Sequence, residues 1–187
     1  MVLVFFNFTV TAQNDVNREV EDPDHTIAVV GQQWSWAFNY VEDDANDGQT
    51  VYTTCTPAEP PTLYLPVGET VEFELTSPDT IHSFWVPAFA YKLDVIPGRV
   101  NSFSMTPTRE GTFEGRCAEL CGVYHSRMLF TVEVVSAEEY AEELAQLEAV
   151  GNVGLAEGGA NADTQVGVEE QVQDDDTTQT DDTGGTE

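Results

Sequence analysis

Apolar positions recur along this chain in short bursts, and their spacing sets the elements it predicts. TIAVVGQQWSWAFNYV (26–41) places Trp34, Trp36, Phe38 and Tyr40 on alternate positions against Gln33, Ser35 and Ala37, the period of two expected of a strand. EDDANDGQ (42–49) is a turn-rich loop with an Asp-Gly pair and several solvated acids. After the Pro-rich punctuation TPAEPPT, the stretch TLYLPVGETVEFELTSP (62–78) reads as two short strands joined at Val67-Gly68-Glu69. IHSFWVPAFAYKLDVIPG (81–98) begins as a strand and turns irregular around its prolines. RVNSFSMTPTREGTFEGRC (99–117) gives strand, loop and strand, and MLFTVEVVS (128–136) closes the series as a strand. Short strands broken by Gly and Pro turns predict an antiparallel sandwich or barrel.

The period then changes. In SAEEYAEELAQLEAV (136–150), Tyr140, Leu144 and Leu147 fall at helical intervals behind Ser136, which can cap the first turn. Residues 151–187 are rich in Gly, Asn, Gln, Thr and acid, with no aromatic and no cation, a composition expected to be disordered. At the other end, MVLVFFNFTVTAQ is far shorter than the ~20 apolar residues a spanning helix needs, and it lacks the charged start of a signal peptide. It reads as the end of a truncated membrane segment followed by a polar linker, together covering 1–25. His25, in that linker, reads as structural. The expected order is therefore 1–25 anchor remnant and linker, 26–136 β domain, 137–150 helix and 151–187 acidic tail.

Charge narrows the partners. The 187 residues hold 34 acids and 6 bases, a formal net charge of -28, so almost nothing could neutralise phosphates and a nucleic-acid partner is disfavoured. Acid is spread over the β domain and tail alike, which suits the solubility habit of a halophile better than a patch steering a cationic partner. The cations are placed unevenly: Arg18 lies early, while Lys92, Arg99, Arg109, Arg116 and Arg127 share one later segment.

Soft ligands are also concentrated. Of 3 Cys, 3 His and 3 Met in the chain, CAELCGVYHSRM (117–128) contains Cys117, Cys121, His125 and Met128. Cys55, alone before the Pro-rich stretch, reads as a buried or incidental thiol. Cys117 and Cys121 could pair as a disulfide, but the His and Met beside them argue for metal. Thiolate, imidazole and thioether together favour copper; zinc rarely takes a thioether, and three cysteines cannot build a four-Cys iron–sulfur cluster. One Cys, one His and one Met before a final strand, with His82 upstream, is the layout of a mononuclear cupredoxin site. The second cysteine is surplus there. Two thiolates bridging two copper ions, with His82 on one, His125 on the other, Met128 as a weak ligand and a backbone carbonyl from between the cysteines, would use the whole set as an electron relay.

C-x-E-x-C-x3-H-x2-M, preceded by H-S-x-x-V-P, resembles the copper A centre of subunit II of haem–copper cytochrome c oxidases. The likeness runs from about Thr26 to Ser136 and takes in GQQWSWAFNY, LDVIPGRVN and FEGRCAELCG, although the family commonly has Gln where Arg116 stands. The resemblance implies a cupredoxin-like Greek-key β-barrel or sandwich, all-β apart from the short C-terminal helix. It implies copper ligation by His82, Cys117, Cys121, His125 and Met128. Glu119 would offer its carbonyl to copper and its side chain to a magnesium ion shared with subunit I. Trp34 stands where electrons enter from a cytochrome c or a small blue copper protein. Asp94 and Arg99 fall where the family meets subunit I, the haem-bearing partner to which electrons leave for the reduction of oxygen. The other oxidase subunits and the plasma membrane are implied as partners, with the copper domain on the extracellular or periplasmic side. A soluble blue-copper carrier, the related domain of nitrous oxide reductase, and a subunit that has lost its copper are the rival readings. The Cys117–Cys121 pair, the IPGR segment and the full ligand set weigh against each in turn. No residue of this chain is expected to make or break bonds.

Overall fold

In the computed structural model, residues 1–16, 20–55 and 59–156 are described. A helix, α1 (Val2–Val16), precedes ten strands, and a second helix closes the order. The first strands, β1 (His25–Gln32), β2 (Ser35–Asp43) and β3 (Gln49–Thr54), form a meander. They are followed by β4 (Thr62–Pro66), β5 (Val71–Thr76), β6 (His82–Val86), β7 (Tyr91–Val95), β8 (Asn101–Met105), β9 (Gly111–Cys117) and β10 (Leu129–Val135), then α2 (Ala137–Ala149). One sheet has the order β3-β2-β1-β5-β8 and the other β4-β10-β9-β6-β7. The chain crosses repeatedly from one to the other, so strands distant in sequence become neighbours.

The sandwich predicted from the strand pattern is present, with one difference in its pairing. β1 runs parallel to β5 and β4 runs parallel to β10, because each pair is joined by crossovers through the opposite sheet and not by hairpins. The stretch predicted to be irregular around its prolines forms β6 and β7, separated by a single 3-10 turn at Pro87–Phe89.

Alternation explains the core. Trp36, Phe38 and Tyr40 of β2, Phe73 and Leu75 of β5, Phe84 and Val86 of β6, and Phe130 and Val132 of β10 point between the sheets and are almost fully buried. Phe130 stacks on Phe84 (centroids 5.0 Å apart) and meets Trp36 and Phe38 edge-on, the geometries that aromatic quadrupoles favour. Gly115, opposite Phe130 in the β9–β10 register, makes that seat possible: a Cβ there would lie 2.1 Å from Phe130 Cε2.

The two ends of the chain depart from expectation. α1 continues to Val16 and so covers the start of the expected linker, and it exposes Phe5, Phe6 and Phe8. No helix among the described residues is long and apolar enough to cross a membrane. His25 opens β1 and is buried: Nδ1 lies 2.9 Å from Asp43 Oδ2 and Nε2 lies 2.6 Å from Glu69 Oε2. Tyr140 of α2 donates its hydroxyl to the same Asp43 oxygen at 2.7 Å. Ser136 caps α2 by accepting the Glu139 N–H. Beyond α2, the first residues of the stretch expected to be disordered are ordered against the β domain. Val153 bridges Val51, the Asn152 carbonyl accepts from Tyr52 N–H and Gly154 N–H donates to Thr50. The Asn39 side chain holds both the N–H and the carbonyl of Ala156. These backbone groups find partners on the free edge of β3, which composition alone does not reveal. Residues 157–187, the rest of the expected disordered tail, lie outside the described residues.

Candidate metal centre

Three elements converge at one end of the sandwich. His82 is the first residue of β6, Cys117 is the last of β9, and the loop 118–128 returns the chain to β10. Main-chain bonds set the loop. Cys117 N–H donates to the Met128 carbonyl (3.0 Å) and Ala118 N–H donates to the Ser83 carbonyl (3.0 Å). A short 3-10 turn at His125–Arg127 then turns His125 back toward the cysteines.

The side chains meet as donors to a soft metal would. Cys117 Sγ lies 3.8 Å from Cys121 Sγ, 3.9 Å from His82 Nδ1 and 3.2 Å from the Glu119 carbonyl oxygen. Cys121 Sγ lies 3.6 Å from His125 Nδ1 and 3.8 Å from Met128 Sδ. His82, Cys117, Cys121 and Met128 are buried, and His125 is half-buried. The ligand atoms of His82, Cys117 and Cys121 all fall within 4.8 Å of one another, so the three could hold a metal ion. Each thiol has an imidazole Nδ1 near it, and among the described residues no carboxylate joins the metal-holding group. That set fits a thiophilic metal such as copper and does not fit a hard cation. All three cysteines are free thiols, so the Cys117–Cys121 disulfide is not formed.

Electrostatics favours a thiolate here. Burial pushes the Cys117 thiol up, but its contacts with His82 and with the backbone at Glu119 and Ser83 outweigh that and bring it down to about 7. Burial and the neighbouring Cys117 push the Cys121 thiol up to about 12. The first proton thus leaves near neutrality and the second resists, as expected of two thiols so close together. Burial alone would lower His82, but Cys117 and Asp79 raise it above its ordinary value.

Asp79 was not singled out by the sequence, and it is the main support of His82. Its Oδ1 lies 2.9 Å from His82 Nε2, leaving Nδ1 to face Cys117. The turn that presents it is closed by Ser77, whose Oγ donates to the Thr80 carbonyl and accepts the Asp79 N–H. A carboxylate three residues before a histidine in SPDTIH was the available signal. Gln33 is the second residue missed: its carboxamide donates to the Cys121 carbonyl at 2.6 Å.

The remaining predicted residues surround this centre at different depths. Trp34, in the β1–β2 turn, is half-buried and meets Tyr124 edge-on at 5.1 Å, whereas Trp36 is wholly buried in the core. The Glu119 side chain is exposed while its carbonyl faces Cys117. Asp94, on β7, is exposed and pairs in register with Ser83, next to His82. Arg99 is exposed just after the Pro97-Gly98 turn, its N–H donating to the Ile96 carbonyl. Three of the retained cations rest on aromatic faces: Arg116 on Trp85, Arg127 on Tyr124 and Arg109 on Phe113, at 5.3–5.8 Å.

A two-sheet sandwich with a Cys, Cys, His, Met set at the end of β9 and in the loop before its last strand, completed by a buried His at the start of β6, defines a cupredoxin-like metal domain. Residues 25–135 match the sequence profile of the periplasmic domain of cytochrome c oxidase subunit II, and the chain belongs to that family. It is 44% identical over 191 residues to a probable cytochrome c oxidase subunit 2 of Streptomyces coelicolor, covering 85% of this chain and 60% of that protein. It is 31% identical over 198 residues to cytochrome c oxidase subunit 2 of Mycobacterium tuberculosis, covering 78% and 54%. The chain therefore spans little more than half the length of these relatives. Among solved structures, it resembles the periplasmic domain of subunit II of cytochrome oxidase of Bradyrhizobium japonicum with a TM-score of 0.61 and 29% identity, over 71% of this chain and 99% of that one. A chain of a heme-copper terminal oxidase dimer shares the fold, with a TM-score of 0.51 and 21% identity over 72% of this chain and 91% of that one.

Proposed function

We propose that this chain is the electron-relay domain of a haem–copper terminal oxidase and holds a dinuclear copper A centre. The single observation that carries this reading is the second thiol: Cys121 Sγ sits 3.8 Å from Cys117 Sγ, and each sulfur has its own imidazole. A mononuclear site has no use for that arrangement. Cys117, Cys121, His82, His125, Met128 and the Glu119 carbonyl would hold the copper ions. Bound there, the copper pair supplies a one-electron carrier whose two charge states differ little in geometry.

The chain's own residues do the rest. Asp79 orients His82, Cys117 and Cys121 are themselves buried away from water although the loop around them is largely exposed, and the packed Phe84–Phe130–Trp36 wall stands behind the donors to keep them from spreading on a change of charge. A stiff donor set keeps the reorganisation cost of electron transfer small. Trp34 is the point at which electrons arrive from a cytochrome c or a small blue copper protein; its half-buried ring above the ligand loop supports that role. Asp94, which pairs in register with Ser83 next to His82, and the exposed Arg99 and Glu119 side chains would meet subunit I. There Glu119 would share a magnesium ion, and electrons would leave for haem and the reduction of oxygen to water. The exposed phenylalanines of α1 support a membrane-facing role for the N-terminal segment, with the copper domain on the periplasmic or extracellular side of the plasma membrane. The acid-rich composition supports a halophilic source.

The test is to load the full chain with copper and measure metal per chain together with the electron spin resonance spectrum. Two coppers per chain, with hyperfine structure from one electron shared over two nuclei, is the expected result. One copper with a one-nucleus pattern would move the protein to the blue-copper carriers.

A further inference from the structure

The turn that carries Trp34 is tied to the ligand cluster by its neighbour and not by the indole. Gln33 donates twice, from its main-chain N–H to Asp79 Oδ2 at 2.7 Å and from its carboxamide to the Cys121 carbonyl at 2.6 Å. The other Asp79 oxygen, Oδ1, holds His82 Nε2 at 2.9 Å. One carboxylate thus grips an imidazole and the turn, and one carboxamide grips the turn and the thiol loop. The Trp34 indole N–H is buried and has no hydrogen-bond partner among the described residues. It lies over Gly122, where a Cβ would come within 3.1 Å of Trp34 Nε1, Trp34 Cζ2 and Gln33 Nε2. The seat of the indole is therefore set by what holds Gln33, by the bare backbone at Gly122 and by the edge-on contact with Tyr124.

We propose that Asp79 and Gln33 are positioning residues that join the Trp34 turn and the ligand cluster into one mechanical unit, so that loosening either contact disturbs both the indole and His82. The proposal rests on the copper A reading for its effect on the metal, while the linkage itself belongs to side chains of this chain. A carboxylate that accepts from an imidazole N–H fixes the ring's plane and tautomer. Because the second oxygen of the same carboxylate is held by Gln33, a rotation that weakens one contact weakens the other. Asn at position 79 has one acceptor oxygen and cannot serve both. Gln33→Ala keeps the main-chain contact to Asp79 and loses only the one to Cys121.

The experiment uses the full chain with Asp79→Asn, Gln33→Ala and the double variant. Solvent exchange of the Trp34 indole N–H is followed by NMR in the metal-free protein, with the signal assigned by its loss in Trp34→Phe. Copper per chain and reduction potential are measured after loading. Both single variants are expected to speed indole exchange about tenfold, the scale of one lost hydrogen bond. The double variant should fall short of the product of the two, the mark of coupled sites. Gln33→Ala should also shift the potential, although its side chain touches no ligand side chain. If Asp79→Asn moves the potential while indole exchange stays within twofold of the parent, the carboxylate serves His82 alone and the proposal is overturned. If Asp79→Asn does not fold, Gln33→Ala decides alone: unchanged exchange and unchanged potential overturn the proposal. A parent protein without two coppers would refute the copper A reading, and the metal-free exchange rates would still decide the linkage.

Discussion

Replacing His25 with alanine tests the buried network under α2. Asp43 is fully buried and takes three donors: His25 Nδ1 at 2.9 Å, the Tyr140 hydroxyl at 2.7 Å and the Ala45 N–H at 2.9 Å. Burial opposes ionisation, but these donors outweigh it and hold the Asp43 carboxyl below its ordinary range. For His25, burial opposes the charged ring, and Asp43 and Glu69 outweigh it and raise the group above 6.5. His25→Ala leaves a buried carboxylate without its countercharge, which costs roughly 3–5 kcal/mol when such a pair is broken. The two remaining donors place the value at the lower end, about 3 kcal/mol. Glu69 adds little, because its side chain is 38% exposed and screened. The sign with pH follows from the raised folded-state value. The His25 contribution is complete below the unfolded value near 6.5 and is lost as pH rises through the folded one, with a slope of at most about 1.4 kcal/mol per pH unit. The Asp43 contribution runs the other way, present above about 3.8 and lost as pH falls through its depressed value. Urea unfolding of parent and variant at pH 5.5, 7 and 8.5 reads the difference directly, and titration of the distant thiols cancels between them. A gap of about 3 kcal/mol at pH 5.5 that narrows at pH 8.5 is expected. A constant gap, or one below about 1 kcal/mol at pH 5.5, would refute the assignment of charge to His25.

Three further outcomes are expected. Gly115→Ala puts a methyl 2.1 Å from the Phe130 ring, and because that ring is wedged by Phe84, Trp36 and Phe38 the melting transition should fall by the equivalent of roughly 3 kcal/mol. Ending the chain after Val150 removes the four hydrogen bonds that Asn152, Gly154 and Ala156 make to β2 and β3 and should cost about 2–3 kcal/mol in urea unfolding relative to a chain ended after Ala156; both shortened chains should bind copper fully. Chelating copper from the loaded protein should leave its far-UV circular dichroism unchanged while lowering its melting temperature, since Cys117, Cys121 and Met128 belong to the apolar core that the two sheets build.

Much of this was legible in the residues because it is local. Strand periods along 26–41 and 128–136, the helical spacing of Tyr140 and Leu144, and the crowding of Cys117, Cys121, His125 and Met128 are all properties of short windows. What escaped depends on partners distant in sequence. The parallel pairing of β1 with β5 and of β4 with β10 leaves no mark in any single strand. His25 reads as a linker residue until Asp43 and Glu69 are brought to its two nitrogens. Residues 151–156 have the composition of a solvated tail, and only the open edge of β3 and the amide of Asn39 give their backbone somewhere to bond. Asp79 looks like one acid among 34, and its role appears only when the Gln33 turn and His82 are set on either side of it.

The parallel pairing of β4 with β10 also governs when the centre can come into being. β4 sits at the edge of its sheet with β10 as its one neighbour there, so it must wait, unpaired, until a strand about seventy residues later has been made, and pairings of such long range close slowly. The β9–β10 hairpin carries Cys117, Cys121, His125 and Met128 and needs no such wait. It can form within microseconds, but until β6 delivers His82 it offers thiols that are still open to water and oxidant. Docking of that hairpin between β4 and β6 therefore completes the sheet and shields the sulfurs in the same act.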